Sequence, residues 1–419
     1  MTDKTIQVGD PVAVDCCASP SLLTVGQAVE KILSQATTVE QTETVNLLDA
    51  LNRVLAEDLQ STIDVPGYDN SAMDGYAIHS ENCQTSGAVL PVSQRIAAGQ
   101  VGSQLEKGCA ARIFTGAPVP DGADAVVMQE MCEASGDTVK INAIVKSGSN
   151  VRRAGEDIAK DKIVLQSGLR LRAQELGLIA SVGLAEFKVR RKLKVATFFT
   201  GDELVTPGQP LASGQIYNSN RYTLRGLLQA MDCEIVDLGI VPDTLEATVD
   251  VLKQAAAGAD LVITSGGVSV GEEDYVRIAL EKLGELTMWR IAMKPGKPVA
   301  FGNVGNTLFM GLPGNPVSVF VTFLLFARAL ILKLQGVEDC FIKRLTVTAD
   351  FEWRKVQRQE YLRVRLLQKG KQTVAQLYPQ QGSGVLSSAS WADGLVEVLI
   401  GTEIKKGDTV SYLPFEGLY

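Results

Sequence analysis

The sequence predicts a multidomain α/β protein with additional β modules. Strand-like and helix-like segments alternate between residues 193 and 342, the pattern of an open, mostly parallel sheet with helices on both faces. Short β-type runs separated by glycine and proline fill residues 89–142. β patterning returns over 343–419, where Tyr361-Leu362-Arg363-Val364-Arg365 alternates cleanly and predicts a compact β-barrel. At 419 residues the chain has room for roughly three domains of about 150 residues each.

In chain order, residues 1–20 carry Asp3, Asp10 and Asp15 and no apolar run, so they read as a disordered tail rather than a secretory signal. Thr24 followed by Gln27 is a capping-box pattern and opens a helix running to about residue 37. A second helix is expected over roughly 45–58. Strands at 90–93, 111–114, 125–129 and 138–142 build a small β module. A helix over 172–182 leads to the basic linker Arg190-Arg191-Lys192. Beyond it come strand 193–199, helix 219–231, strand 233–241, helix 244–257, a strand from Leu261, helix 272–283, and β-runs near 286–293, 298–302 and 307–310. A long apolar helix follows, with Asn315 as N-cap and Pro316 at its first position. Its apolar stretch, 317–327, is cut by Arg328 and falls short of the ~20 residues of a membrane span. It reads as a helix buried inside the α/β domain.

Ligands in open α/β sheets bind at the C-terminal ends of the strands. Three turn motifs fall there: Thr200-Gly201-Asp202-Glu203, Ser265-Gly266-Gly267 and Gly311-Leu312-Pro313-Gly314. Lys294-Pro295-Gly296-Lys297-Pro298 adds two ammonium groups. Glycine-rich turns and a helix start present backbone N–H groups and a positive dipole end, so this region reads as the floor of a polyanion site. Farther upstream, the turn holding Asp74-Gly75 is either a surface hairpin or a loop offering its carboxylate to a metal or a sugar hydroxyl. Arg152-Arg153 is either an exposed ion-pair turn or a phosphate contact. Carboxylates (Asp74, Glu203, Asp274) and cations (Arg152, Lys294, Lys297) together permit phosphate-ester or phosphoanhydride chemistry assisted by a hard cation such as Mg²⁺.

Several classes are disfavoured. A formal net charge of −8 argues against bulk nucleic-acid affinity. Seven cysteines without a C-x-x-C pair fit a reducing, cytoplasmic setting and neither a disulfide framework nor a zinc site. His79 is the only histidine, so a serine-histidine-aspartate triad would rest on it alone. Neither G-x-G-x-x-G nor G-x-x-x-x-G-K-[ST] occurs. Trp353 and Trp391 read as core residues.

The motifs in their order resemble one family. Ser71-Ala72-Met73-Asp74-Gly75-Tyr76, Thr115-Gly116-Ala117-Pro118-Val119-Pro120, Arg153-Ala154-Gly155-Glu156-Asp157 and Thr200-Gly201-Asp202-Glu203-Leu204 are similar to signatures of the molybdopterin molybdenumtransferase (MoeA) family, to which the C-terminal part of gephyrin also belongs. So are Ser265-Gly266-Gly267-Val268-Ser269-Val270-Gly271, the Lys294–Pro298 turn and Gly311-Leu312-Pro313-Gly314-Asn315-Pro316-Val317-Ser318. The resemblance spans about residues 21–419.

The resemblance implies a central MogA-like doubly wound α/β domain (193–342), a C-terminal β-barrel (343–419), an inserted β module (63–157) and an elongated helical linker domain (21–62 with 158–192). It implies an enzyme of molybdenum cofactor biosynthesis that takes adenylylated molybdopterin and molybdate as substrates, uses Mg²⁺ and releases AMP. Carried over by motif, Glu203 and Asp274 would sit beside pterin and metal, with Asp243 nearby. Lys294, Lys297 and Ser318 would hold an oxyanion, with Arg358 and Ser383 from the last domain. Ser265, Gly266, Gly267, Ser269, Pro313, Asn315 and Pro316 would complete the cofactor-binding turns. Asp74, Thr115, Arg152 and Asp157 would enter from the partner subunit of a homodimer. A molybdopterin adenylyltransferase and molybdenum-enzyme chaperones are the implied partners, with no nucleic acid and no membrane. Two departures from the family pattern are Arg290, where lysine is common, and Ala154, where some relatives carry a third arginine. A non-catalytic molybdopterin-binding or scaffold protein is the alternative.

Overall fold

The computed structural model describes residues 22–267 and 275–418, in two compact units: 41–190, and the flanking segments together. The second of these units contains a six-stranded sheet in the order Glu234–Val241, Lys194–Thr200, Leu261–Ser265, Thr307–Leu312, Pro298–Val304, Gly284–Arg290. The first four strands run parallel, and Pro298–Val304 is antiparallel to both of its neighbours. This is the doubly wound arrangement predicted from the alternating pattern.

Period-two alternation divides the strands between two cores. Val195, Phe199, Leu261, Ile263, Met310 and Leu312 face one layer, packed with Val25–Ser34, Ser219–Ala230 and the helix after Pro316. Ala196, Phe198, Val262 and Phe309 face the opposite layer, against Leu245–Gly258 and Tyr275–Leu283. The Thr24–Gln27 capping box forms as expected, with the Thr24 hydroxyl accepting from the Gln27 amide. Thr244 and Asn218 cap their helices in the same way.

The apolar helix after Asn315 continues through a π-helical stretch to Leu334, past the arginine that cuts its apolar stretch, and is almost wholly buried. Arg328 is tolerated because its guanidinium donates to the Leu418 carbonyl at 2.6 Å and the Cys340 carbonyl at 3.1 Å. This is a core helix with its polar interruption satisfied.

The barrel consists of Leu345–Ala349, Gln359–Lys369, Gln372–Leu377, Gly394–Val398 and Thr409–Pro414, closed by pairing of Gln359–Lys369 with Gly394–Val398. Trp353 packs against its core and Trp391 against the α/β core.

In the 41–190 unit, Ala125–Met128, Gly75–Ile78, Ala110–Ile113, Ala88–Ile96, Thr138–Ile141 and Cys132–Ser135 form a six-stranded sheet, in that order. The helix expected over 45–58 is absent. Thr42–Asn46 is instead a strand paired with Glu186–Arg190, followed by a short 3₁₀ turn, Leu47–Asp49. β-branched Thr42, Thr44 and Val45 favour the ladder, and Asn52 has a φ of +66°, which ends any helix. The 172–182 helix is present as Ala173–Ser181. The tail 1–21, with Cys16-Cys17, lies outside the described residues. Among the described residues, Cys83, Cys109, Cys132 and Cys340 are free thiols.

Candidate active site

The site is assembled at the C-terminal ends of the parallel strands, where Thr200, Ser265 and Leu312 give way to turns. After Ser265, Gly266 and Gly267 take φ values of +88° and +63°. A Cβ on Gly267 would fall 2.6 Å from the Val276 side chain, so the turn requires glycine for space as well as for φ. The Gly266 amide donates to the Leu312 carbonyl at 3.1 Å. A Cβ on Gly314 would lie 3.6 Å from the Gly266 Cα, so the two turns are in van der Waals contact.

The lysine turn joins them from the side. Met293–Lys294 pairs in parallel with Gln359–Glu360, which brings the barrel strand, and Arg358 just before it, to the same place. The result is a cavity of about 530 Å³ lined by Lys294, Lys297, Arg358, Ser318, Ser383 and the glycine-proline turns, including Gly266, Gly267, Pro313 and Asn315. Lys294 Nζ lies 3.7 Å from Glu360 Oε1, and that buried carboxylate is also held by Trp353 Nε1 at 3.0 Å and Arg354 at 3.3 Å. Lys297 and Arg358 have no acidic partner among the described residues, leaving an excess of positive charge. The Asn315 side chain does not cap the Pro316 helix, so the Ser318 amide of its first turn has no side-chain cap. Val317 N–H donates to the Ser383 carbonyl at 2.9 Å and ties the barrel loop to the helix start. Beneath that loop, Arg363 is 1% exposed and donates to Gly382 O, Ser388 Oγ and Tyr361 O. Its burial pulls the guanidinium pKa down to about 10.

A second pocket of about 330 Å³ adjoins the first, sharing Gly266, Gly314 and Asn315. Glu203, Thr200, Tyr217, Asn218, Asn220, Ser265 and Pro316 line it. Gly201, with φ +141°, carries the chain under the Glu203 carboxylate, which a Cβ at 201 would meet at 2.6 Å. The lining has no histidine or cysteine, so its donors are oxygens and amides, suited to a hard cation or a polar organic ligand. Among the described residues no cluster of three or more His, Cys, Asp or Glu could hold a metal by itself.

Asp243 lines neither cavity. Ser269 and Asp274 lie outside the described residues. Asp74, Thr115, Arg152 and Asp157 belong to the 41–190 unit. There Asp74 Oδ1 accepts from both the amide and the hydroxyl of Thr115, each at 2.8 Å. These two bonds, with Arg112 nearby, hold the Asp74 carboxyl below its ordinary pKa. Arg152 sits opposite Asn70 in a two-residue ladder, and the Asp157 amide donates to Val65 O. The adjacent Arg153 ion-pairs with Asp69, so this half of the basic dipeptide is an exposed ion-pair turn. Sequence reading missed Asn218, Asn220, Glu360 and Arg363. The only trace of the first two is a pair of amides flanking a helix start.

Three family models match in order: "MoeA N-terminal region (domain I and II)" over 23–183, "Probable molybdopterin binding domain" over 196–333 and "MoeA C-terminal region (domain IV)" over 346–415. A molybdopterin molybdenumtransferase of Haemophilus influenzae is 48% identical over 316 residues, 75% of this chain and 78% of that one. The chain belongs to the MoeA family. A second MoeA-family relative, the molybdopterin molybdenumtransferase of Nostoc sp., is 40% identical over 337 residues, 77% of each chain. The crystal structure of a molybdopterin biosynthesis MoeA protein from Pyrococcus horikoshii OT3 superposes with a TM-score of 0.81 at 28% identity, covering 94% of this chain and all of that one. The MoeA architecture inferred from the motif order is therefore the architecture of the folded chain.

Proposed function

We propose that this MoeA-family chain is a molybdopterin molybdenumtransferase, an enzyme that inserts molybdate into adenylylated molybdopterin and releases AMP. The observation that carries this reading is the joined pair of cavities. One is ringed by Lys294, Lys297 and Arg358, and the other is lined by Glu203, hydroxyls and amides. A tetrahedral dianion fits the cationic cavity, where charged donors and the start of the Pro316 helix offset its charge. The neighbouring pocket, lined by Glu203, hydroxyls and amides, takes the adjoining part of the same substrate. Lys294, anchored by Glu360, keeps its remaining ammonium donors for the anion.

Mg²⁺ suits the pocket's donor set, because it needs only one or two carboxylates when substrate phosphates and waters fill its other positions. Glu203 is the described carboxylate there, and Asp274 is proposed as the second. Bound, the ion would supply neutralisation of phosphoanhydride charge. Asp74, Thr115, Arg152 and Asp157 are proposed to reach this cleft from the partner subunit of a homodimer. Asp243 is proposed as a nearby contact. The chain is placed in the cytoplasm, receiving its substrate from an adenylyltransferase and handing its product to molybdenum-enzyme chaperones.

Incubation of the purified protein with adenylylated molybdopterin, molybdate and Mg²⁺ tests the reading. The expected result is AMP together with cofactor that activates an apo-molybdoenzyme. Binding of the adenylate without AMP release would instead describe a carrier or scaffold.

A further inference from the structure

Within the 41–190 unit, the strand Ala110–Ile113 places Arg112 opposite Tyr76 on one side and opposite Arg95 on the other. The Arg112 guanidinium lies over the Phe114 ring at 4.7 Å and over the Tyr76 ring at 5.2 Å, which fixes the plane of the group. Its two hydrogen bonds go to neutral oxygens around the turn that carries Asp74. Nη1 donates to Gly75 O at 3.0 Å, and Nη2 donates to Gln129 Oε1 at 2.7 Å. The Gln129 amide in turn donates to Asp74 O at 3.0 Å. From the other side, the Thr115 amide and hydroxyl both donate to Asp74 Oδ1. The backbone carbonyls of residues 74 and 75 and one oxygen of the carboxylate are therefore all held. A Cβ on Gly75 would fall 1.8 Å from Val127 O, so the turn is also pressed against the neighbouring strand.

We infer that Arg112 is a positioning residue for the reaction: its stacked guanidinium grips the Asp74 turn and so sets where the Asp74 carboxylate is presented. This rests on the proposed place of Asp74 in the cleft and adds what holds it there. The planar fork matters more than the charge. Two oxygens in fixed directions are met by two N–H groups of one rigid plane, which an ammonium on a flexible stem does not reproduce. Arg95 supplies an internal contrast. It lies over the same Phe114 ring at 4.5 Å, so it shares the stack without sharing the grip. The Arg112 charge acts on the same carboxyl: after the Thr115 amide and the Thr115 hydroxyl, it is a further influence lowering the Asp74 pKa. A misplaced reacting group costs turnover steeply, which is why a turn that presents one is held at several points.

Arg112→Lys, Arg95→Ala, Asp74→Asn and the double variant Asp74→Asn with Arg112→Lys, all in the full chain, test the assignment. Arg112→Lys keeps the charge and the aliphatic stem, so it separates the grip from folding. It is expected to lower kcat about tenfold, the worth of a hydrogen bond, with the KM for molybdate unchanged. Arg95→Ala is expected to retain wild-type turnover. The double variant is expected to lose no more than Asp74→Asn alone, because the two residues act as one unit. The Asp74 carboxyl-carbon resonance reads the grip without reference to turnover, and it should move in Arg112→Lys and stay in place in Arg95→Ala. Wild-type kcat in Arg112→Lys overturns the assignment, as do additive losses in the double variant or an equal loss in Arg95→Ala. If the resonance moves as expected while Asp74→Asn turns over at the wild-type rate, the grip stands and it is the proposed place of Asp74 in the cleft that falls.

Discussion

At the scale of single residues, the site is decided by which charges have partners. Lys297 and Arg358 face the larger cavity without acidic partners among the described residues, while Lys294 is braced by buried Glu360. Replacing Lys294 or Lys297 with alanine is therefore expected to raise the molybdate concentration needed for half-maximal turnover by about tenfold or more, with molybdopterin affinity nearly unchanged. Steady-state assays at limiting molybdate check this, and unaltered dependence in both variants removes the oxyanion assignment. Asp74 shows the opposite logic. Its carboxylate is held ionised chiefly by the Thr115 amide and then by the Thr115 hydroxyl, and its pKa lies below the ordinary 3.8. A depressed carboxylate contributes stability that is complete above 3.8 and disappears as pH falls through the folded value. Thr115→Val removes one of the two donors. The acid limb of the activity profile should then move to higher pH, and a carboxyl-carbon titration of Asp74 should show the same upward move.

At the scale of elements, the turns line both cavities because parallel strands end together. Gly267 has φ +63° and Val276 at its back, so Gly267→Ala meets both backbone strain and a steric clash. The left-handed conformation alone costs about 1–2 kcal/mol for a residue with a Cβ. The expected outcome is a lower denaturant midpoint and a larger loss of turnover, since the turn borders both cavities. Activity that tracks stability alone would remove the turn from the site. The Pro316–Leu334 helix shows why element boundaries resist reading from the sequence. Arg328 cuts the apolar stretch, yet the helix runs on because the carbonyls of Leu418 and Cys340 satisfy its guanidinium. The misread 45–58 segment has the same origin. Its leucines suit a helix, but the partner that makes a strand of Thr42–Asn46 lies at Glu186–Arg190.

At the scale of the whole molecule, the proposal of a shared site makes a test available that no single-chain property can mimic. Asp74→Asn and Lys297→Ala proteins, each weakened as a homodimer, are unfolded together and refolded as a mixture. Heterodimers then hold one cleft with both defects and one with neither. Recovery of about a quarter of wild-type turnover is expected from random pairing. No recovery would place both residues in the service of the same subunit.

The sequence by itself determined the doubly wound α/β class, the closing β-barrel, the family and the turns that line the two cavities. Those features live in local periodicity and in short glycine-proline motifs, which act within a few residues of themselves. Only tertiary structure decided which charges remain without partners. Arg358, Ser383 and Lys294 meet because the barrel strand at Gln359 pairs with Met293–Lys294. Glu360 becomes a buried anchor because burial and hydrogen-bond supply are properties of the packed chain and not of any segment within it.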